Sequence, residues 1–108
     1  MSVVVIFTSR RTPAHGDEYE ALSARMVELV QDHPGFIEMT SVRDPRTREG
    51  ITVAYFRDEE SVRAWKAHVE HAEAQRRGIA ELYEAYRVTV ASVERDYGST
   101  PDEGSASP

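Results

Sequence analysis

The first strand of this chain carries apolar residues on both faces, and this constrains the fold more than any other feature of the sequence. Residues 3–7 read Val-Val-Val-Ile-Phe, a largely β-branched run that is typical of a strand. Side chains alternate along a strand, so such a run places large apolar groups on both sides of the sheet that it joins. One face carries Val3, Val5 and Phe7, and the other carries Val4 and Ile6.

The remaining elements are predicted from apolar spacing. Residues that recur three and four positions apart indicate helices, while β-branched or alternating runs indicate strands. Pro34 and Gly35 end the first helix, and Gly78 marks a kink or a break in the second. In chain order, we predict a strand at 3–7, a helix that ends near Gln31, strands at 36–42 and 51–56, a helix that begins at 58–60, and a strand at 86–90 with a bulge near Ala91.

This β-α-β-β-α-β order is the ferredoxin-like plan of an α+β domain, in which helices cover one face of an antiparallel four-stranded sheet. The second apolar face stays exposed, at a cost of about 25 cal/mol per Å². A second copy packed sheet to sheet removes that cost, so the sequence predicts a homodimer. We expect the domain to span residues 1–97. We expect the tail, residues 98–108, to be disordered because it holds no apolar residue larger than alanine.

Composition argues against several classes of function. Thirteen basic and nineteen acidic residues give a net charge of -6, which opposes binding to nucleic acid or to an anionic membrane surface. The chain has no cysteine, so neither thiolate chemistry nor cysteine-ligated metal is available. No stretch approaches the roughly 18 apolar residues of a membrane span, and the N-terminus lacks a signal-peptide pattern. We therefore expect a cytoplasmic protein.

The side chains most suited to binding or catalysis are concentrated in residues 65–86. The segment holds the only tryptophan, Trp65, together with His68, His71 and Tyr86. Imidazoles close to an aromatic ring on one helix can bind a flat ligand or transfer a proton. Core packing of Trp65, with the histidines at its edge, is the structural alternative. The pair His68 and His71 lacks a third ligand, so no metal site is predicted.

Several segments resemble the antibiotic biosynthesis monooxygenase (ABM) domain of the dimeric α/β-barrel superfamily. The resemblance covers residues 1–97 and rests on the Pro34-Gly35-Phe36 turn, on residues 53–56 and 93–97, and on the segment Ser61–His71. It implies a homodimer with a pocket between helices and sheet in each subunit. Some members oxygenate polyketide aromatics without metal or flavin, others bind and degrade haem, and many have no known activity.

Resemblance to the cofactor-free oxygenases implies that Trp65 lines the pocket. Their reaction begins with removal of a proton from an electron-rich phenol or anthrone, and His68 or His71 is the candidate base. Tyr55, Tyr86 or the Trp65 indole N–H is the candidate donor to the developing oxyanion. The full candidate set is Trp65, His68 and His71 for catalysis and Phe7, Tyr55, Tyr86 and Gln75 for substrate binding.

Resemblance to the haem-degrading members implies a different set: an asparagine in the first strand, this tryptophan, and a histidine ten residues after it. The chain departs twice, because it contains no asparagine and Gln75 stands where that histidine is expected. Haem bound through His68 or His71 is therefore the alternative to a reaction without cofactor. A non-catalytic dimer that binds a small molecule is the second alternative.

The other histidines and the hairpin arginines are predicted at the surface because they stand in loops or beside charged turn residues. These residues are His15, His33, Arg43, Arg46 and Arg48. Tyr83 and Tyr86 bridge the end of the second helix and the last strand. Packing in the core or in a dimer is the alternative to a role for them in the pocket.

Overall fold

The predicted strands and helices form one sheet with a helical layer. The structure, a computed structural model, describes residues 2–74 and 79–99. The predicted order is confirmed there, with one short additional helix before the last strand. The elements are β1 (Val3–Arg11), α1 (Gly16–Gln31), β2 (Phe36–Arg43), β3 (Glu49–Phe56), α2 (Glu59–Ala74), α3 (Ile79–Leu82) and β4 (Tyr83–Ser92). Gly78 and the tail from residue 100 lie outside the described residues.

β1 lies in the interior of the sheet. The strand order is β2-β3-β1-β4, and all neighbouring strands are antiparallel. Val3 pairs with Phe56 of β3 on one side and with Ser92 of β4 on the other. The predicted α+β class with an antiparallel four-stranded sheet is thereby confirmed.

Both long helices pack on the face of the sheet that carries Val3, which we call the core face. Val30 of α1 and Val62 of α2 form one buried cluster with Val3, Ala54 and Phe56. The prediction of helices on one face is therefore confirmed. Within the described ranges, no helix has the length and apolar character needed to cross a membrane.

The other side of the sheet, which we call the open face, is also apolar. The register pairs Val4 with Tyr55 and Ile6 with Val53, and strand alternation directs these four side chains away from the helices. They are half-buried by their neighbours in the sheet. Toward the hairpin the same face continues to Val42, which is 61% exposed. The two apolar faces expected from the first strand are both present.

The turn before β2 fits against the first turn of α2. Gly35 has a φ of 87°, a left-handed conformation that favours glycine. A Cβ at this position would collide with the side chain of Ser61. The backbone N–H of Arg57 donates to the Gly35 carbonyl at 2.7 Å. The Pro34-Gly35 sequence therefore ends α1 and also fixes the turn against α2.

A carboxylate caps the start of α2. The backbone N–H and the hydroxyl of Ser61 both donate to Oδ1 of Asp58, at 2.8 and 2.6 Å. These bonds favour the ionised carboxylate and hold the pKa of Asp58 below its usual value. Asp58 immediately precedes Glu59, the first residue of α2, so the acidic helix start predicted from sequence acts as an N-terminal cap.

The bulge predicted near Ala91 is wrong. The register of β4 on β1 is continuous through Ala91 and shifts only between Arg10 and Arg11, at the other end of the strand pair. Val93, whose phase indicated the bulge, lies beyond the end of β4. The pleat of the sheet therefore does not constrain its side chain.

The Asp58 cap should make folding stability depend on pH. Because the pKa of Asp58 is lower in the folded chain than in the unfolded one, its contribution is fully present above the unfolded value and is lost as pH falls through the folded value. We expect Asp58→Ala to lower the melting temperature by several degrees at neutral pH. The deficit should shrink as pH falls below about 4. Thermal unfolding followed by circular dichroism over this range measures it.

Asp58→Asn is the matched control because it keeps an acceptor for Ser61 but has no charge to titrate. Its stability should lie closer to that of the unsubstituted protein, and its advantage over Asp58→Ala should not change with pH. A deficit of Asp58→Ala that stays constant from neutral to acidic pH would contradict the assignment.

Candidate substrate site

Trp65 contacts two imidazoles that also lie near each other. Its ring centroid is 5.4 Å from that of His33 and 5.7 Å from that of His68, and the two imidazoles are 6.4 Å apart. We call these three residues the imidazole cluster. Trp65 is half-buried and packs against the hydrophobic core. The structure thus brings together the predicted residues Trp65 and His68 and adds His33, which sequence reasoning missed.

The prediction that His33 lies at the surface is wrong. Its ring packs edge-on against Phe56 with centroids 6.2 Å apart, and Nε2 lies 3.0 Å from the carbonyl oxygen of Ser61. A carbonyl only accepts, so Nε2 donates, and Nδ1 of the neutral ring is left as an acceptor. Because the Pro34-Gly35 turn packs against the start of α2, the neighbouring His33 side chain contacts that helix. A residue in a turn has no apolar periodicity from which this placement could be predicted.

His68 presents an accessible imidazole. It follows Trp65 by three residues on α2, a spacing that places both on neighbouring positions of the helix surface. The side chain is exposed. Among the described residues, no hydrogen bond or ion pair occupies its ring nitrogens. His68 can therefore accept a proton from a bound molecule or bind a ligand directly.

A second group of rings lies farther along the core face of β1. Phe7 contacts Tyr83 and Tyr86, with centroids 5.4 and 5.9 Å apart, and Tyr83 contacts Tyr19 of α1 at 5.8 Å. We call Phe7, Tyr19, Tyr83 and Tyr86 the aromatic row. Tyr86 is 55% exposed, so the row is open to solvent at β4. The structure joins the predicted residues Phe7 and Tyr86 in this row rather than in the imidazole cluster.

Tyr55 lies on the open face. It pairs with Val4, and both side chains line an open cavity of about 560 Å³ together with residues 92–96. The sheet therefore separates Tyr55 from Trp65. A shift of one residue along a strand exchanges its two faces, and residue type alone does not indicate which face Tyr55 occupies.

Two predicted site residues cannot be placed around Trp65. The backbone of His71 belongs to α2, but its side chain and the whole of Gln75 lie outside the described residues. In residues 2–74 and 79–99, no group of three or more histidine, cysteine or acidic side chains is arranged to hold a metal ion.

The prediction that Arg43 and Arg48 lie at the surface is also wrong. Arg43 is the last residue of β2 on the core face, where its guanidinium donates to the hydroxyl of Ser9 at 2.7 Å. Arg48 donates to the carbonyl of Arg11 at 2.8 Å. Both side chains fold back from the hairpin onto β1 and become half-buried. Arg46, between them, is exposed as predicted.

The core face thus offers two kinds of chemistry. The imidazole cluster can take up a proton at His68 and donate a hydrogen bond from the Trp65 indole N–H. The aromatic row supplies flat apolar surface with phenolic hydroxyls at its edges. An imidazole that can accept a proton and a surface of aromatic rings on the same face of the sheet suit a flat aromatic small molecule more than a nucleotide or a metal ion.

The fold and these side chains define a ferredoxin-like α+β domain with a candidate small-molecule site on the core face. The sequence profile of the family described as "Antibiotic biosynthesis monooxygenase" matches residues 2–77. The chain belongs to this family. It is 40% identical over 91 residues to the uncharacterized protein YqjZ of Bacillus subtilis (strain 168), covering 84% of this chain and 78% of YqjZ.

Solved structures share the fold at low sequence identity. A mutant of SnoaB, a cofactor-independent oxygenase from Streptomyces nogalater, has a TM-score of 0.69 at 18% identity, covering 88% of this chain and 95% of that one. A mutant of MhuD with two manganese protoporphyrin IX molecules bound per active site has a TM-score of 0.68 at 22% identity, covering 90% and 99%. Because these identities are low, the likeness shows the fold alone.

Loss of the His33 ring should destabilise the protein. His33→Ala removes a side-chain hydrogen bond to the Ser61 carbonyl and the ring contacts with Phe56 and Trp65, so we expect the free energy of unfolding to fall by about 1–3 kcal/mol. Emission from the sole tryptophan should also shift to longer wavelength. Urea denaturation and tryptophan fluorescence measure both effects.

His68→Ala is the control for His33→Ala because it removes the other imidazole that contacts the same indole, and that imidazole is exposed. It should change the free energy of unfolding by no more than about 0.5 kcal/mol. A loss in His33→Ala as small as that expected for His68→Ala would contradict the assigned contribution of the His33 contacts.

Proposed function

We propose that the protein catalyses cofactor-independent oxygenation of an electron-rich, polyketide-like aromatic in a pocket on the core face, around Trp65 and His68. The observation that carries the proposal is the exposed imidazole of His68, 5.7 Å from the indole ring in the helical layer. Membership of the monooxygenase family and the fold shared with the cofactor-independent oxygenase SnoaB support it.

The proposed reaction starts with proton transfer. His68, or His71 in its place, removes a proton from the acidic carbon of an anthrone-like substrate, and the resulting carbanion reduces O₂ and forms a carbon–oxygen bond. The imidazolium returns the proton to the peroxide, and loss of water leaves a carbonyl. One oxygen atom ends in the product and the other in water. The substrate supplies all the electrons, so no external reductant is needed.

Other side chains would bind and orient the substrate. The indole N–H of Trp65 and the hydroxyl of Tyr86 are the proposed donors to the oxyanion that forms when the proton leaves. Phe7 and Tyr86 are the proposed stacking surface, and Gln75 is a further proposed contact. Tyr55 is left out of this pocket because its side chain lies on the open face.

We further propose that the protein is a cytoplasmic homodimer whose subunits pack through their open faces. The half-buried apolar side chains Val4, Ile6, Val53 and Tyr55 support this, since covering them with a second copy recovers about 25 cal/mol per Å² of apolar surface. In such a dimer, each core face and its pocket would stay accessible.

Haem binding through His68 or His71 is the second candidate, and the fold shared with the porphyrin-bound MhuD favours it. The accessible imidazole of His68 fits the donor type that haem iron takes as an axial ligand. Bound haem would supply oxygen activation. The residues of this chain would provide that imidazole and the aromatic surface of Trp65 beside it.

Oxygen uptake tests the primary proposal. The purified protein, free of haem and treated with a chelator, should accelerate oxygen consumption by an anthrone-type phenol and release the corresponding carbonyl product. His68→Ala should lower kcat/KM by about 100-fold, as expected for loss of a general base, and Trp65→Phe should lower it less. Lys66→Ala is the control, since Lys66 is exposed on the same helix and pairs only with Glu70 at 3.8 Å.

The alternatives give different results. Uptake no faster than autoxidation, with the substrate nevertheless bound, would indicate a non-catalytic binding module. Uptake that neither His68→Ala nor His71→Ala reduces would contradict the assigned base. A saturable Soret shift at one haem per subunit, lost in one of these two variants, would indicate the haem protein and identify its ligand.

A further inference from the structure

Two guanidinium groups lie close to the ring of Tyr19 at one end of the aromatic row. The guanidinium carbon of Arg43 lies 5.1 Å from the Tyr19 ring centroid and that of Arg11 lies 5.5 Å from it. Arg43 is also 5.7 Å from the ring of Tyr83. Two positive charges therefore lie close to the same aromatic ring.

Neutral acceptors hold Arg43 in place. Its Nε–H donates to the Tyr19 hydroxyl at 3.0 Å, Nη1 to the Arg48 carbonyl at 2.6 Å and to the Ser9 carbonyl at 3.4 Å, and Nη2 to the Ser9 hydroxyl at 2.7 Å. One N–H of Nη2 has no partner among the described residues. Gly50 makes room for the group, because a Cβ there would lie 2.6 Å from the guanidinium carbon.

Neither guanidinium has a carboxylate partner within residues 2–74 and 79–99. The arginines beside them do: Arg10 pairs with Glu49 at 2.8 Å and Arg48 with Glu84 at 3.3 Å. Within these ranges, the guanidinium of Arg11 makes only one hydrogen bond, of 3.5 Å, to the carbonyl of Ala14. A half-buried charge without a counter-ion is unfavourable, and two such charges near one ring repel each other. An anion bound between them would offset both costs.

The aromatic row extends from these two guanidinium groups to an exposed aromatic ring. The rings continue from Tyr19 through Tyr83 and Phe7 to the exposed Tyr86. The free N–H of Arg43 Nη2 and the guanidinium of Arg11 can each donate a charge-assisted hydrogen bond to a carboxylate oxygen. We propose that Arg43 and Arg11 bind the carboxylate of an aromatic ligand whose rings lie along Phe7 and Tyr86.

This inference rests on the proposed function, since it narrows the substrate class to aromatic acids. The shared chemistry is a carboxylate on a flat ring system, and a porphyrin carboxylate is a second possible source. The two sources can be distinguished by pairing a simple aromatic acid and haem each with its neutral derivative.

The test compares 4-hydroxybenzoate with 4-hydroxybenzamide by isothermal titration calorimetry, and haem with its dimethyl ester by absorbance. We expect the carboxylate form of at least one pair to bind about tenfold more tightly than the neutral form. On binding, the Arg43 Nε–H resonance should shift in the ¹H–¹⁵N spectrum. Tighter binding of 4-hydroxybenzoate than of its amide indicates that the ligand is a simple aromatic acid. Tighter binding of haem than of its ester, with no difference in the hydroxybenzoate pair, indicates that the ligand is a porphyrin.

Three variants locate the effect. Arg43→Lys keeps the charge but removes the planar group whose bonds to Ser9 and Tyr19 hold the free Nη2 N–H in place, and it should reduce the preference for the carboxylate by about tenfold. Because this variant also loses bonds to Tyr19 and Ser9 and can unfold, Arg11→Gln provides an independent reduction in the same direction. Arg46→Gln, on the exposed tip of the hairpin, should leave the preference unchanged.

No preference for the carboxylate in either pair, including no binding at millimolar concentration, would overturn the inference. So would a preference that Arg43→Lys and Arg11→Gln leave intact. Binding is measured without turnover, so an acid that binds but consumes no oxygen would uphold the carboxylate site while contradicting the proposed oxygenation.

Discussion

The apolar character of both faces of β1 is the constraint on which the rest of the structure depends. β1 lies inside the sheet, and its neighbour β3 also carries apolar side chains on both faces. The two long helices can cover only the core face. That face therefore holds the core, the imidazole cluster and the aromatic row, whereas the open face retains Val4, Ile6 and Tyr55 in a half-exposed state. This strand therefore produces one face that the helices cover and that holds the candidate site, and one apolar face without helices in the described part of the chain.

The contact between the Pro34-Gly35 turn and α2 places the imidazole cluster. Gly35 allows the turn to approach Ser61, whose amide and hydroxyl in turn cap the helix through Asp58. The same approach lets His33 reach the Ser61 carbonyl and cover Trp65. A short polar segment therefore fixes where α2 begins and how its tryptophan is surrounded. The candidate residues Trp65 and His68 follow this capped end of α2.

Much of the fold could be predicted from the sequence, because apolar periodicity reports directly on buried faces. It identified the strand and helix order, the helical layer on one side and the pairing of Trp65 with His68. It could not identify His33 or Arg43, because a turn residue and a strand-end arginine reach the core through backbone geometry and not through a repeating pattern. Nor could it assign Tyr55, since its face depends on a strand register set by distant pairing.

Family membership and fold leave the reaction to be decided by the site itself, since one fold hosts unrelated activities. We propose that this site lies on the core face, which carries both the imidazole cluster and the aromatic row. This face presents a proton acceptor, an indole and a group of aromatic rings. The open face contributes an apolar surface but, in the described residues, no imidazole.

The most direct test of the proposed site is a crystal structure with a hydroxyanthraquinone, a product-like ligand that does not react further. We predict that the ligand lies on the core face beside α2, in contact with Trp65 and within hydrogen-bond distance of His68. A ligand seated instead on the open face against Tyr55, or touching neither Trp65 nor His68, would contradict it.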